Sequence, residues 1–96
     1  MVMTILEAQV APDKWTALEK AYQDMSLRLD PGLVQTFLVH GVKDPTLWRI
    51  ITVWESREAL DKMRQSNETP RGVVMFRAAG AEPTLAVFDI AAQRAA

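Results

Sequence analysis

LWRIITVWESREALDKMR, residues Leu47 to Arg64, decides the fold. Its first half carries Trp48, Ile50, Ile51, Thr52, Val53 and Trp54, β-branched and aromatic residues that suit a pleated, half-buried strand. The strand stops at the step Trp54-Glu55-Ser56. Ser56 is placed to cap a helix, with Glu58 in its first turn where a carboxylate suits the helix dipole. Upstream, Leu33 to Val42 reads as another strand, joined to strand three by Lys43-Asp44-Pro45-Thr46. Pro45 is pre-set for the second position of a type I turn after Asp44. So short a link makes the two strands antiparallel neighbours.

Further out, Val2 to Val10 is strand one, with Leu6, Ala8 and Val10 on one parity and Glu7 and Gln9 on the other. Ala11-Pro12-Asp13 opens a helix whose apolar stripe is Trp15, Leu18, Tyr22, Met25 and Leu29, and Asp30-Pro31-Gly32 stops it. Asn67-Glu68-Thr69-Pro70 interrupts helix two, and a short helical turn is predicted over Gly72 to Ala79. Strand four runs from Thr84 to Ala91, leaving a tail outside the sheet. The order β-α-β-β-α-β over residues 1–96 predicts one domain. Its class is α+β, a ferredoxin-like four-stranded antiparallel sheet with all helices on one face. Right-handed crossovers set strands one and three at the centre, where they are expected to run parallel, with strands two and four outside.

Composition narrows the function. A chain of 96 residues, 49% apolar and 24% charged, is globular rather than disordered. With a net charge of −1 and scattered basic residues it lacks the electrostatic footprint of a nucleic-acid binder. No apolar run nears the ~20 residues that span a bilayer, and the first residues lack the basic region of a signal peptide. A cytoplasmic location is the expectation. The absence of cysteine excludes disulfides, thiolate metal sites and a cysteine nucleophile. The one histidine, His40, cannot hold a metal alone, and no metal or other cofactor is expected.

The second sheet face bears on assembly. Strand three is apolar on both parities, with Trp48, Ile50 and Trp54 against Leu47, Ile51 and Val53. Strand two sets Val34 and Leu38 against Leu33, Phe37 and Val39, and strand four sets Leu85 and Val87 against Ala86, Phe88 and Ile90. Four strands of this kind leave an uncovered face of about 480 Å². That matches a protein–protein site better than a solvated surface. A homodimer with the two sheets packed face to face is predicted.

These features together carry a resemblance. The βαββαβ order, Pro31-Gly32 before strand two, Trp54-Glu55-Ser56 closing strand three and Glu58-Ala59-Leu60 opening helix two resemble the antibiotic biosynthesis monooxygenase family, within the dimeric α+β barrel superfamily. The resemblance covers about residues 3 to 91. It implies two sheets paired into a barrel, with a pocket in each protomer between sheet and helices. Activities of that family include cofactor-free oxygenation of polycyclic phenols and quinols, and degradation of haem. The haem-degrading branch uses an asparagine on strand one, a tryptophan on helix two and a haem-ligating histidine soon after. The matching positions here are Ala8, Met63 and Val73, so haem degradation by that route is not expected.

Individual side chains leave alternatives open. His40 is either a structural strand residue or a base for a phenolic proton. Glu7 and Asp89, on neighbouring strands, could share a proton, or each could pair with Arg49 or Arg77. Trp15, Tyr22 and Met63 either fill the core or form an aromatic and thioether wall for a flat ligand, with Ala8 nearby. Trp48 and Trp54 belong to the core or to a dimer interface. Two functions follow. One is a cofactor-independent monooxygenase acting on a small phenol- or quinol-like aromatic, with His40 and Tyr22 as candidate catalytic residues. The other is a non-catalytic dimer that binds a small ligand or serves as a structural module. A partly polar cavity favours the first, and a pocket filled by Tyr22, Met63 and Phe76 favours the second.

Overall fold

Alternation at every second residue sets Val2, Thr4, Leu6 and Ala8 on one side of the first strand, and the helices cover that side. The computed structural model describes residues 1–25, 30–65 and 69–95. Strands β1 (Val2–Gln9), β2 (Leu33–His40), β3 (Leu47–Trp54) and β4 (Thr84–Asp89) form one sheet in the order β2-β3-β1-β4. Helices α1 (Trp15–Met25), α2 (Arg57–Gln65) and α3 (Arg71–Ala78) complete the ferredoxin-like α+β fold. None of the described helices is long and apolar enough to cross a membrane.

One expectation of topology is corrected. β1 and β3 are central but antiparallel, and the β1–β4 and β2–β3 pairs are antiparallel too. The crossover through α1 brings the chain back in the direction of β1, so β2 is parallel to β1. The hairpin then reverses it, and β3 must oppose β1. The hairpin turn forms as read from sequence, with the Leu47 amide donating to the Asp44 carbonyl at 3.1 Å across Pro45 and Thr46.

Element ends shift where partners run out. β2 stops at His40 rather than Val42, and β4 stops at Asp89, which pairs with the first residue of β1. The first helix begins with a 3-10 turn over Pro12–Lys14 before α1 proper. Leu29, Asn67 and Glu68 lie outside the described residues. Ser56 caps α2 as expected, its hydroxyl accepting the Ala59 amide at 3.1 Å.

Strand register sorts the side chains into rows. On the helix-covered face the rows across β1, β3 and β2 read Val2-Trp54-Leu33, Thr4-Thr52-Thr36, Leu6-Ile50-Leu38 and Ala8-Trp48-His40. An irregularity between Leu33 and Gln35 rotates Leu33 onto this face, against the parity read from sequence, and leaves Val34 exposed. Leu33 then packs with Val2, Trp54 and Leu60 of α2. The larger core joins Ala8, Trp48 and Ile50 to Leu18 of α1 and to Met75 and Phe76 of α3. Trp48 and Trp54 are therefore both core residues.

Gly32 sets the entry to β2. Its φ of +84° lies in the region that favours glycine, and an added Cβ would run into the Ala59 side chain. The open face carries Met3, Ile5, Ile51, Val53, Phe37, Ala86 and Phe88, with Gln35 toward one end of the sheet and Glu7 and Arg49 toward the other.

Candidate functional site

Between sheet and helices lies a cavity of about 90 Å³. Its floor is the second and third rows of the helix-covered face, Thr4, Thr52 and Thr36 beside Leu6 and Ile50, with Trp54 and Leu33 at one end. Tyr22 and Met25 of α1, Met63 of α2 and Met75 of α3 form the walls. Glycine at position 72 matters here: a Cβ would come within 2.5 Å of the Leu6 methyl, so its absence lets the start of α3 sit close to the sheet.

The cavity is apolar with confined polarity. The Trp54 indole N–H donates to the Thr4 hydroxyl at 3.3 Å, and the Thr36 and Thr52 hydroxyls lie 3.3 Å apart. At the rim, the Arg71 guanidinium meets the Asp30 carboxylate at 3.2 Å, each side chain about one-third exposed (34% and 33%). Tyr22 adds a phenol, which can donate or accept one hydrogen bond.

The structure brings together some of the residues singled out from sequence and separates others. Tyr22 and Met63 line the cavity. Trp15 and Ala8 do not: Ala8 is buried in the row with Trp48, and the Trp15 indole N–H donates to the Val10 carbonyl at 2.9 Å. Phe76 is fully buried in the core and leaves the cavity unfilled. His40 faces the helix side but stands four residues beyond Thr36, about 13 Å along the strand. There it stacks on Trp48 with ring centroids 4.5 Å apart, near Trp15, and its Nδ1 lies 3.3 Å from the Pro45 carbonyl. The expected meeting of His40 with Tyr22 is thus not made.

The shared proton between Glu7 and Asp89 is also corrected. Glu7 pairs with Thr84, and Asp89 pairs with Val2 at the other end of β1, so the two carboxylates lie on opposite faces. Glu7 instead takes the alternative partner, Arg49, at 2.6 Å. Arg77 pairs with Glu82 at 2.9 Å. Among the described residues no group of three or more carboxylates or imidazoles is placed to hold a metal ion.

Sequence reasoning missed the threonine row and the Asp30–Arg71 rim. Each threonine looks like an ordinary β-former within its own strand, and only the register aligns the three. Asp30 was legible as a helix stop, and nothing local marks Arg71 as its partner.

Known proteins carry the same architecture. The sequence pattern of the antibiotic biosynthesis monooxygenase family matches residues 1–73. A protein of Deinococcus radiodurans named for that family superposes with a TM-score of 0.77 at 9% identity, covering 100% of this chain and 98% of that one. SnoaB of Streptomyces nogalater, a cofactor-independent oxygenase, gives 0.74 at 17% identity over 96% and 94%. MhuD of Mycobacterium tuberculosis, a heme-degrader solved with two hemes in its active site, gives 0.69 at 20% identity over 99% and 100%. Similarity at these identities speaks for the fold alone. No curated protein matches by sequence. The family pattern covers about three-quarters of the residues, including β1, α1, the β2–β3 hairpin and α2. On that match the chain belongs to the antibiotic biosynthesis monooxygenase family.

Proposed function

We propose that this protein is a cofactor-independent monooxygenase for a small phenol- or quinol-like aromatic, bound in the cavity of each protomer. The observation that carries the reading is the cavity itself, an apolar slot between sheet and helices with few polar groups, the form that orients a flat ligand. Trp54, Met25 and Met63 offer aromatic and thioether surface to a ring, and the Tyr22 phenol can fix one oxygen substituent. At about 90 Å³ the space is well below the ~300 Å³ of drug-sized pockets, which favours one ring over a polycycle. In this reaction the substrate reduces O2 itself. A quinol would give a hydroxyquinone plus water, one oxygen atom entering each product. Asp30 is the carboxylate at the cavity rim and can accept a phenolic proton, and Arg71 beside it can then balance the phenolate charge. In this reading His40, which lies off the cavity, is a structural residue.

The test is oxygen uptake with a panel of substituted hydroquinones under isotopic O2. Enzyme-dependent uptake with one labelled atom in the organic product is expected. Uptake no faster than without protein across the panel would sink the proposal. The non-catalytic alternative draws on two observations: no imidazole lines the cavity, and its rim carboxylate is already ion-paired.

A further inference from the structure

A role for the row Thr4-Thr52-Thr36 rests on the cavity being a ligand site. The three residues are direct cross-strand partners, all on the cavity floor. The rows on either side, Val2-Trp54-Leu33 and Leu6-Ile50-Leu38, are apolar throughout save for the Trp54 indole N–H, which is itself used on Thr4. Valine has the same branched shape and a similar β preference, with no hydroxyl to satisfy. Three core-facing threonines in one row on the floor of a cavity need another account.

Donor arithmetic supplies it. Each hydroxyl has one hydrogen to give. Thr4 uses its oxygen to accept from Trp54, so its own hydrogen points elsewhere. Between Thr36 and Thr52 one hydrogen is spent on the pair, and the other is left over. Among the interactions of the row, two O–H donors therefore remain over the floor, set one or two strand spacings apart, about 5–10 Å. The shorter spacing is close to the span between oxygens on opposite sides of a six-membered ring.

We infer that the threonine row is an oxygen-recognising rail, which selects a flat ring carrying hydrogen-bond acceptors (quinone carbonyls or a phenolate) over a hydrocarbon of the same shape. The free O–H groups can donate to a quinone carbonyl as they can to a quinol oxygen, so the oxidised ring is held in the same place. The enzyme would therefore be subject to product inhibition by a quinone.

The experiment compares duroquinone with durene, the same methylated ring without oxygens, by NMR titration of the protein's methionine methyls. The proteins are wild type, Thr36→Val/Thr52→Val and Thr36→Ser/Thr52→Ser. Wild type should show shifts at Met25 and Met63 and prefer duroquinone by about 25-fold or more, the worth of two hydrogen bonds. The valine pair, which removes the donor left over by Thr36 and Thr52 and keeps that of Thr4, should cut that preference about five- to tenfold while binding durene as well or better, and melt no lower than wild type. The serine pair should keep it. If durene binds wild type as tightly as duroquinone, or the valine pair keeps the preference undiminished, the rail is refuted and the cavity still stands as a ligand site. If neither ring shifts Met25 or Met63, the cavity is no ligand site and both readings fall.

Discussion

Tyr22 is where sequence and site meet. Its place on the inward stripe of α1 was legible from the three- and four-residue spacing alone, and the cavity beside it gives its phenol something to do. Tyr22→Phe keeps the ring and removes one hydrogen bond, so binding of a quinol in the cavity should weaken by about 1 kcal/mol. The melting temperature should barely move. Calorimetric titration with a hydroquinone beside a thermal melt checks both; a variant that loses stability but no affinity would make Tyr22 simply core. Met63 was legible by the same spacing, whereas Thr4, Thr36 and Thr52 were not. A threonine in a strand is uninformative until its row neighbours are known, and the irregularity at Leu33 to Gln35 hides those of β2. A second expectation at this scale is negative. The family resemblance sets Ala8, Met63 and Val73 against the functional side chains of the haem-degrading branch. Haem incubated with the protein and a reductant should keep its porphyrin absorption band, and ring cleavage at useful rates would overturn this.

Among the elements, those with strong local signals formed as read, and the departures have physical causes. The Ser56 cap and the Asp44–Pro45 turn are side-chain and backbone chemistry confined to a few residues, so the sequence states them directly. The relative direction of β1 and β3 depends instead on counting reversals through a crossover and a hairpin, which no local pattern encodes. Two elements invite tests. Asp44 accepts from the hydroxyl of Thr46 at 2.6 Å and from its amide at 3.1 Å, bonds that hold its carboxyl below the ordinary 3.8. A carboxyl lowered in the folded state stabilises above its unfolded value, and that contribution is lost as pH falls through the folded one. The hairpin turn should therefore loosen only below about pH 3.8. Carboxyl NMR should place the Asp44 midpoint under that value, and Thr46→Val should raise it. At the α1–β2 connection, Gly32→Ala combines a positive φ with an overlap against Ala59. A loss of about 2–3 kcal/mol in urea denaturation is expected; a loss under 0.5 kcal/mol would mean the turn relaxes freely.

At the scale of the molecule, the open face is the feature least at ease in water. Phe37 (43% exposed), Val39 (38%) and Phe88 (51%) flank Ile5 and Ile51, and every residue of β4 is exposed, including Leu85 (50%) and Val87 (39%) on its other side. Two such faces in contact would remove roughly 1,000 Å², the lower bound for a specific interface, before β4 adds its second side. The Glu7–Arg49 pair on this face would lose water on docking, which a pair at 2.6 Å tolerates better than a lone charge. We therefore expect a homodimer with sheets face to face, the assembly the family resemblance also implies. Adjacent isoleucines separate the dimer from the fold. Ile51 lies on the open face between Ile5 and Phe37, whereas Ile50 is buried in the helix-covered core. Ile51→Lys places a charge at the centre of the interface and should give a folded species of one chain mass by sedimentation. Ile50→Lys buries an unpaired ammonium and should abolish the cooperative melt. Wild type sedimenting at one chain mass at micromolar concentration, or Ile51→Lys remaining dimeric, would show that the exposed face is left to solvent or to some other partner.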